Sequence, residues 1–470
     1  MTKVTKNLKR KRISWDLSYT GLLIFLLFRI PLTNIIGNEG NGYYFVSFEL
    51  FTIFYLLFGF CFHQITSELV RKNIKKYSSR SNSTLITLLI IMALIISLLG
   101  ASAIIFSSKW ILSLLTFELS VISIRILSIW LIISSISGVL RGYFEGCGSR
   151  IPTAFSKIIE AIVAGSSSVI FASLLYKYGF KVGNLLFNSQ YQPAFGATGI
   201  TCGLLCGSMF SFLFLFIIFQ FFRHYQKQAT GNTTSIEVTK KKIIVDILKA
   251  YFICLATYVF TYSYRVVNMY LYITTLNKHI LEEKKELNII SVVGSYHGKV
   301  LVLIGIAILI ILSLSGKNIP RIRKNYGKNM YEHSWKYTID DMKQLLYISL
   351  PVSVLFLLLS NNILNLLYGK ASLTETNFLK IECLNIIFIP LAIYLYRLIQ
   401  KLNFNIALIV IPAISFVGQS ILMYVLVNTE TTRMLSIVIA EVVFWFLIFI
   451  FELLLIMKEF GKILSKQELT

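Results

Sequence analysis

The amino-acid sequence predicts an all-α integral membrane protein of about twelve transmembrane helices. Three observations lead there. Hydrophobic residues make up 56% of the 470-residue chain and charged residues only 14%. Soluble domains carry about 25% charged residues, so this chain lacks the polar surface that a water-soluble globule needs. Apolar windows long enough to cross a bilayer, about 20 residues each, recur along its whole length. Basic residues, finally, alternate in number between successive connections, as membrane topology requires.

The windows fall near 17–36, 44–64, 84–106, 118–140, 151–175, 195–222, 244–275, 291–315, 343–368, 378–397, 404–428 and 434–457. The fourth and tenth carry ionisable residues. The first contains Arg29 and Pro31 and is followed by no small-residue cleavage site, so a retained segment is expected rather than a cleaved signal. No connection is long enough for a soluble domain. The six cysteines (Cys61, Cys147, Cys202, Cys206, Cys254, Cys383) form no CxxC pair and lie mostly in apolar runs. They read as buried packing residues rather than as a disulfide framework or metal ligands.

The formal net charge of +23 would suggest a nucleic-acid partner in a soluble protein. Placement gives another reading. Of the 45 Lys and Arg residues, 30 lie in one alternating set of segments, including Lys3, Lys6, Lys9, Arg10, Lys11 and Arg12 before the first window. Only 8 lie in the other set, and 7 fall inside windows. The split marks the richer side as cytoplasmic, with both termini there. No nucleic acid is needed to explain the charge.

The chain also reads as duplicated. Leu69-Val70-Arg71-Lys72-Asn73 resembles Arg321-Ile322-Arg323-Lys324-Asn325, and Ile111-Leu112-Ser113-Leu114-Leu115 resembles Ile363-Leu364-Asn365-Leu366-Leu367, both at an offset of 252. Leu140-Arg141 and Tyr396-Arg397 follow at 256. The expected division is an N-terminal lobe at 1–227, a cytoplasmic linker at 228–242 and a C-terminal lobe at 243–470. Six helices per half put the repeats in parallel orientation, as in transporters that rock one lobe against the other.

An ionisable side chain at mid-bilayer costs at least about 2.5–3.5 kcal/mol, so it needs a compensating role. Arg29 and Arg265 occupy the corresponding first helix of each half, at an offset of 236. His297 and Lys299 open the eighth window, and His63 lies late in the second. These five are the candidate substrate-binding residues: a cationic cavity would hold an anionic head group, and the guanidinium fork suits phosphate. The structural alternative is that the arginines pair with the buried acids Glu49, Glu160, Glu382 and Glu441 or reach an interface. Glu49 and Glu160 are candidate coupling or structural acids, and Lys157 with Glu160 forms an i,i+3 ion pair by spacing.

No chemistry motif appears. GxxxxGK[ST], HExxH and GxSxG are all absent from the sequence. No enzyme activity, metal or cofactor is therefore expected.

One run of residues has a familiar pattern. Arg29-Ile30-Pro31-Leu32-Thr33, Gly37, Glu39-Gly40, Gly42 and Tyr44 are followed by Leu140-Arg141-Gly142-Tyr143-Phe144, Gly146, Pro152-Thr153-Ala154, Ser156, Glu160 and Gly196-Ala197-Thr198. The second half adds Tyr296, Gly298-Lys299, Leu301-Val302-Leu303-Ile304-Gly305, Pro320 and Leu350-Pro351. The chain thereby resembles the polysaccharide transporters of the multidrug/oligosaccharidyl-lipid/polysaccharide (MOP) exporter superfamily, of the stage V sporulation protein B type, related to the lipid II flippases. The resemblance implies a MATE-like fold, two six-helix lobes forming a V around a central cavity. It also implies a bacterial plasma-membrane location and export of lipid-linked saccharides by alternating access. In the lipid II flippases a basic cavity receives the diphosphate, and Arg29 falls in the region that carries such an arginine there. The chain departs from the pattern at His63, where the family often has proline. It departs again at Ile399-Gln400-Lys401-Leu402-Asn403, where the family has glycines.

The expected function is that of a flippase for an anionic lipid-linked oligosaccharide or polysaccharide precursor of undecaprenyl-diphosphate type. The expected partners are that lipid-linked saccharide and membrane lipids, with the transporter monomeric. A cation-coupled multidrug exporter of the same fold and a non-transporting scaffold for envelope synthesis are the alternatives.

Overall fold

Every regular element of the protein is a helix among the residues that the computed structural model describes, 19–73, 79–229, 239–283, 289–314 and 318–467. Side chains are not described at 79–82, 222–229, 280–283 and 461–467. The N-terminal basic run and most of the expected 228–242 linker lie outside the described residues.

Eleven described helices are long and apolar enough to cross a membrane. The first, Thr20–Asn73, is 54 residues long, about 80 Å at 1.5 Å per residue, far more than the ~30 Å hydrocarbon core. It divides at Gly37, whose φ of 71° and ψ of −174° lie in a region nearly closed to other residues. The break makes two spans, 20–36 and 38–73, and twelve spans in all. The other ten are Ser83–Leu114, Glu118–Gly146, Ile151–Leu185, Tyr191–Phe221, Lys240–His279, Ile289–Ser313, Tyr331–Leu358, Leu373–Leu402, Ala407–Asn428 and Arg433–Phe460, here spans 3 to 12. All twelve expected windows fall on them. Span 9 continues past a bend at Leu359 as Ser360–Tyr368, and a short helix, Ile319–Tyr326, joins spans 8 and 9. Twelve crossings return the chain to the face where it starts, called here the terminal face.

The sequence matches between the halves fall on corresponding elements. The segments at 111–115 and 363–367 both end a third crossing of their half, and Arg141 and Arg397 both lie late in the fourth. Asn403, where the resembling family has a glycine, caps span 10 with φ 67°. Asparagine tolerates that left-handed conformation better than most residues.

Small residues weld spans 5 and 6. Gly199, Gly203 and Gly207 recur every fourth residue opposite Ala172, Ser168 and Ala164, the spacing that lets helix backbones approach within a membrane. A Cβ on Gly203 would come within 2.5 Å of Ser168 Cα. Arg141 then ties spans 4, 5 and 6 together: it donates from Nε to Ser156 Oγ at 3.0 Å and from Nη2 to Ser211 Oγ at 2.7 Å, and pairs with Glu160. Glu160, which spacing offers to Lys157, thus also meets a guanidinium brought by span 4.

The seam between the halves is formed by spans 1 and 2 against spans 7 and 8. Thr33 Oγ1 donates to the Gly298 carbonyl at 3.0 Å, and Asn34 Nδ2 to the Leu367 carbonyl at 3.0 Å. Nearer the terminal face, the Tyr251 hydroxyl donates to the Leu57 carbonyl, and Phe60 packs on Tyr258 and Tyr262. One apolar core runs through the seam and contains Leu32, Ile36 and Val46 of the first half with Tyr272, Ile304 and Leu395 of the second.

Candidate functional site

A five-residue π-helical turn interrupts span 8 at Tyr296–Val300. Such bulges aim several consecutive side chains where an α-helix would spread them around its axis. Here Tyr296, His297 and Lys299 are all buried at the seam, at 0%, 8% and 7% exposure. Each reaches a different group.

Lys299 Nζ lies 2.7 Å from Glu375 Oε1 at the start of span 10. The same carboxylate oxygen accepts from Asn38 Nδ2 of span 2 at 3.1 Å, so a hydrogen bond ties this second-half ion pair to the first half. Glu375 also closes a capping box with Ser372, which fixes its position.

The His297 ring stacks on Phe45 of span 2 with the two planes 8° apart, and neither ring nitrogen has a hydrogen-bond partner. Arg29, 4% exposed, donates from Nη2 to Asn41 Oδ1 at 2.7 Å and places its guanidinium 4.3 Å from the Tyr44 ring centroid. Its Nη1 is buried without a partner. The Tyr368 hydroxyl at the end of span 9 is likewise buried and unpartnered, within electrostatic range of Arg29. Three buried donors therefore stand unsatisfied around one part of the seam, a costly arrangement unless something accepts from them.

Arg265 is placed differently. Its Nη2 lies 2.6 Å from Glu441 Oε1 on span 12, the structural alternative that the sequence left open. Glu441 Oε1 also accepts from the Tyr264 hydroxyl at 3.1 Å, and Trp445 Nε1 donates to that hydroxyl at 3.1 Å. The other oxygen, Glu441 Oε2, lies 3.0 Å from the Tyr296 hydroxyl, which is also 3.0 Å from Glu382 Oε2. Asn385 Nδ2 donates to Glu382 Oε1 at 2.7 Å. A tyrosine hydroxyl has one proton to donate, so Glu382 and Glu441 share a single donor at this point. Glu49, buried on span 2, lies within electrostatic range of both Arg265 and Glu441.

The structure therefore brings four of the five candidate binding residues to one seam. Arg29 and Arg265 both lie within electrostatic range of His297, and Lys299 follows two residues on. His63 does not join them. It lies about 27 Å further along span 2 than Phe45, at 1.5 Å per residue, with Nε2 3.3 Å from Glu145 Oε1 of span 4. Tyr368, Glu375, Glu382 and Glu441 belong to the site as well. Glu382 and Glu441 were visible as acids inside apolar windows, whereas nothing local marks Tyr368 or Glu375.

Twelve described spans, with ionisable groups buried at the seam between the two halves, define a polytopic membrane protein. The polysaccharide biosynthesis protein family matches residues 13–193. Stage V sporulation protein B of Bacillus subtilis (strain 168) is 23% identical over 194 residues, 41% of this chain and 35% of that protein's length. Among solved structures, the inward-facing conformation of a multidrug resistance MATE family transporter of the MOP superfamily superposes with a TM-score of 0.71 at 15% identity, covering 95% of this chain and 96% of that one. Lipid II flippase MurJ in an inward closed conformation gives a TM-score of 0.63 at 14% identity, over 95% of this chain and 88% of that one. At these identities the two likenesses establish the fold.

Proposed function

We propose that the protein is a flippase that moves an anionic lipid-linked oligosaccharide or polysaccharide precursor, of undecaprenyl-diphosphate type, to the outer leaflet by alternating access. The observation that carries this reading is the set of unsatisfied buried donors, Arg29 Nη1, the His297 ring and the Tyr368 hydroxyl, beside the Lys299 ammonium. A phosphate oxygen entering between Arg29 and Tyr368 would accept from groups that have no other partner. Charge-assisted bonds of that kind are about twice as strong as neutral ones. The location among relatives that include a lipid II flippase and polysaccharide biosynthesis proteins supports the same substrate class. On this reading the terminal face is cytoplasmic in a bacterial plasma membrane, and the lipid tail stays in the bilayer while the lobes rock. An inside-negative potential then favours outward movement of the anion by about 2.3 kcal/mol per charge per 100 mV.

The test is flipping of defined lipid-linked saccharides by purified protein in proteoliposomes, with Arg29→Ala and Arg265→Ala alongside. Arg29→Ala is expected to abolish transport. A wild-type rate in both variants would sink the reading.

A second reading, a cation-coupled multidrug exporter of the same fold, is favoured by the buried carboxyl pair Glu382–Glu441 that meets at the Tyr296 hydroxyl. The same proteoliposomes separate the two. Uptake of organic cations driven by a proton gradient, with no movement of lipid diphosphates, would decide for the exporter.

A further inference from the structure

We propose that Arg71, Arg150, Arg323, Arg397 and Lys401, gathered from both halves of the chain at the terminal face, form a docking site for a diphosphate group. The natural source of that group, a lipid-linked diphosphate about to enter the seam, rests on the flippase reading above.

The five cations come from four separate parts of the fold. Arg71 ends span 2, Arg150 lies in the turn between spans 4 and 5, Arg323 is on the helix Ile319–Tyr326, and Arg397 and Lys401 occupy the last turns of span 10. Lys401 is half-buried, and the other four all lie within its electrostatic range. Arg397 also places its guanidinium 5.1 Å from the Tyr19 ring centroid at the start of span 1. The group therefore sits across the seam, at its terminal-face end.

No carboxylate among the described residues forms an ion pair with Lys401, Arg71, Arg150 or Arg323. Three acids of this face have partners of their own. Glu68 pairs with Lys72, Glu145 faces His63 while lying within range of Arg150, and Asp341 accepts from Asn318 Nδ2 at 2.7 Å. A topology signal explains why cations lie on this face, but it works equally well with charges spread apart. It does not explain four guanidiniums around one half-buried ammonium, which repel one another. A diphosphate removes that repulsion. Its several anionic oxygens match guanidinium forks from both sides, and one group bound there would tie Arg71 and Arg150 of the first half to Arg323 and Lys401 of the second.

The test is calorimetric binding of inorganic pyrophosphate, farnesyl diphosphate and farnesol to the purified full-length chain in detergent. Both diphosphates are expected to bind, more weakly as salt is raised, and farnesol is not expected to compete. Tighter binding of farnesyl diphosphate than of pyrophosphate assigns the site to a lipid-borne group, and equal binding assigns it to a soluble one. Arg71→Gln/Arg323→Gln is expected to weaken binding by about tenfold or more, as loss of one to two charge-assisted contacts implies. Arg71→Lys/Arg323→Lys should recover part of it. The control Lys240→Gln/Lys241→Gln/Lys242→Gln removes three cations of the same face that lie outside the group, and should leave binding unchanged. Equal weakening by that control, or unchanged binding in Arg71→Gln/Arg323→Gln, overturns the proposal. Arg29→Gln separates the two sites. If it alone abolishes diphosphate binding, the docking site fails and the flippase reading stands. If it halts neither binding nor transport while Arg71→Gln/Arg323→Gln weakens binding, the docking site stands and the buried phosphate site fails.

Discussion

Glu382 and Glu441, on spans 10 and 12, each place a carboxyl oxygen 3.0 Å from the single hydroxyl of Tyr296. One hydroxyl proton faces two carboxyl oxygens there, an arrangement that a second proton on the pair would complete. Arg265 compensates the charge on Glu441 at 2.6 Å, which makes Glu382 the member that would carry it. The infrared spectrum of the wild-type protein at neutral pH should therefore show the carbonyl stretch of a buried protonated carboxyl, and Glu382→Gln should remove it.

The same geometry ranks two substitutions. Glu382→Gln copies the neutral form and keeps an acceptor for Tyr296 and a carbonyl for Asn385, so its effect on thermal unfolding should be small. Glu441→Gln strands Arg265 beside a neutral amide. The Arg265 side chain is 36% exposed, so water offsets part of the about 3–5 kcal/mol that a fully buried pair would lose, but the midpoint should still fall. Similar midpoints for the two variants would contradict the assignment of the proton.

Lys299 and Glu375 form an ion pair of the second half that lies against the seam. Both are more than nine-tenths buried, 2.7 Å apart, and Glu375 also accepts from Asn38 of the other half. Lys299→Met should destabilise by about 3–5 kcal/mol because it leaves a buried carboxylate unpaired. Lys299→Met/Glu375→Leu should recover much of that loss. A double-mutant cycle on the unfolding midpoints reads the coupling directly, and additive single effects would show that the pair is not energetically joined.

Periodicity and charge alternation made the fold legible at the level of spans, because hydrocarbon thickness dictates apolar length and the loops carry the topology. The break at Gly37 falls where the windows 17–36 and 44–64 part, at the polar, glycine-rich segment Gly37-Asn38-Glu39-Gly40-Asn41-Gly42. Arg29, Arg265, His297 and Lys299 were legible as candidates because charge inside apolar windows is expensive. Their partners were not, since which acid meets which base depends on helix rotation. Arg141 shows the limit: spacing offers Lys157 to Glu160, and nothing local shows that span 4 also brings a guanidinium there. The glycine ladder at 199, 203 and 207 was readable in principle, because a four-residue repeat of small residues is itself a packing signal.

Gly37 yields a backbone prediction. Its φ of 71° with ψ of −174° is nearly closed to residues with a Cβ, and no heavy atom lies within 4 Å of where that Cβ would stand. Any cost of Gly37→Ala is therefore backbone strain rather than a clash, about 1–3 kcal/mol. Thermal unfolding in detergent should show that loss, while Gly148→Ala, at φ 91° in the turn before span 5, should show a comparable one. An unchanged midpoint in Gly37→Ala would mean that the chain turns between spans 1 and 2 by another conformation.

The last prediction concerns motion of the lobes. Cys61 on span 2 and Cys254 on span 7 are both buried, and their thiols are hydrogen-bond neighbours across the seam. Spans 2 and 7 belong to different halves, so a bond between these two sulfurs fixes one half against the other near the terminal face. Treatment of proteoliposomes with a membrane-permeant oxidant should join Cys61 to Cys254, halt transport and be reversed by a thiol reductant. Disulfide geometry demands Cα atoms within about 7 Å, so formation of the bond is itself a distance measurement. Cys61→Ser and Cys254→Ser should each make transport insensitive to the oxidant. If the bond forms and transport continues at its untreated rate, spans 2 and 7 do not separate during the cycle, and the hinge between the lobes runs through this contact rather than opening it.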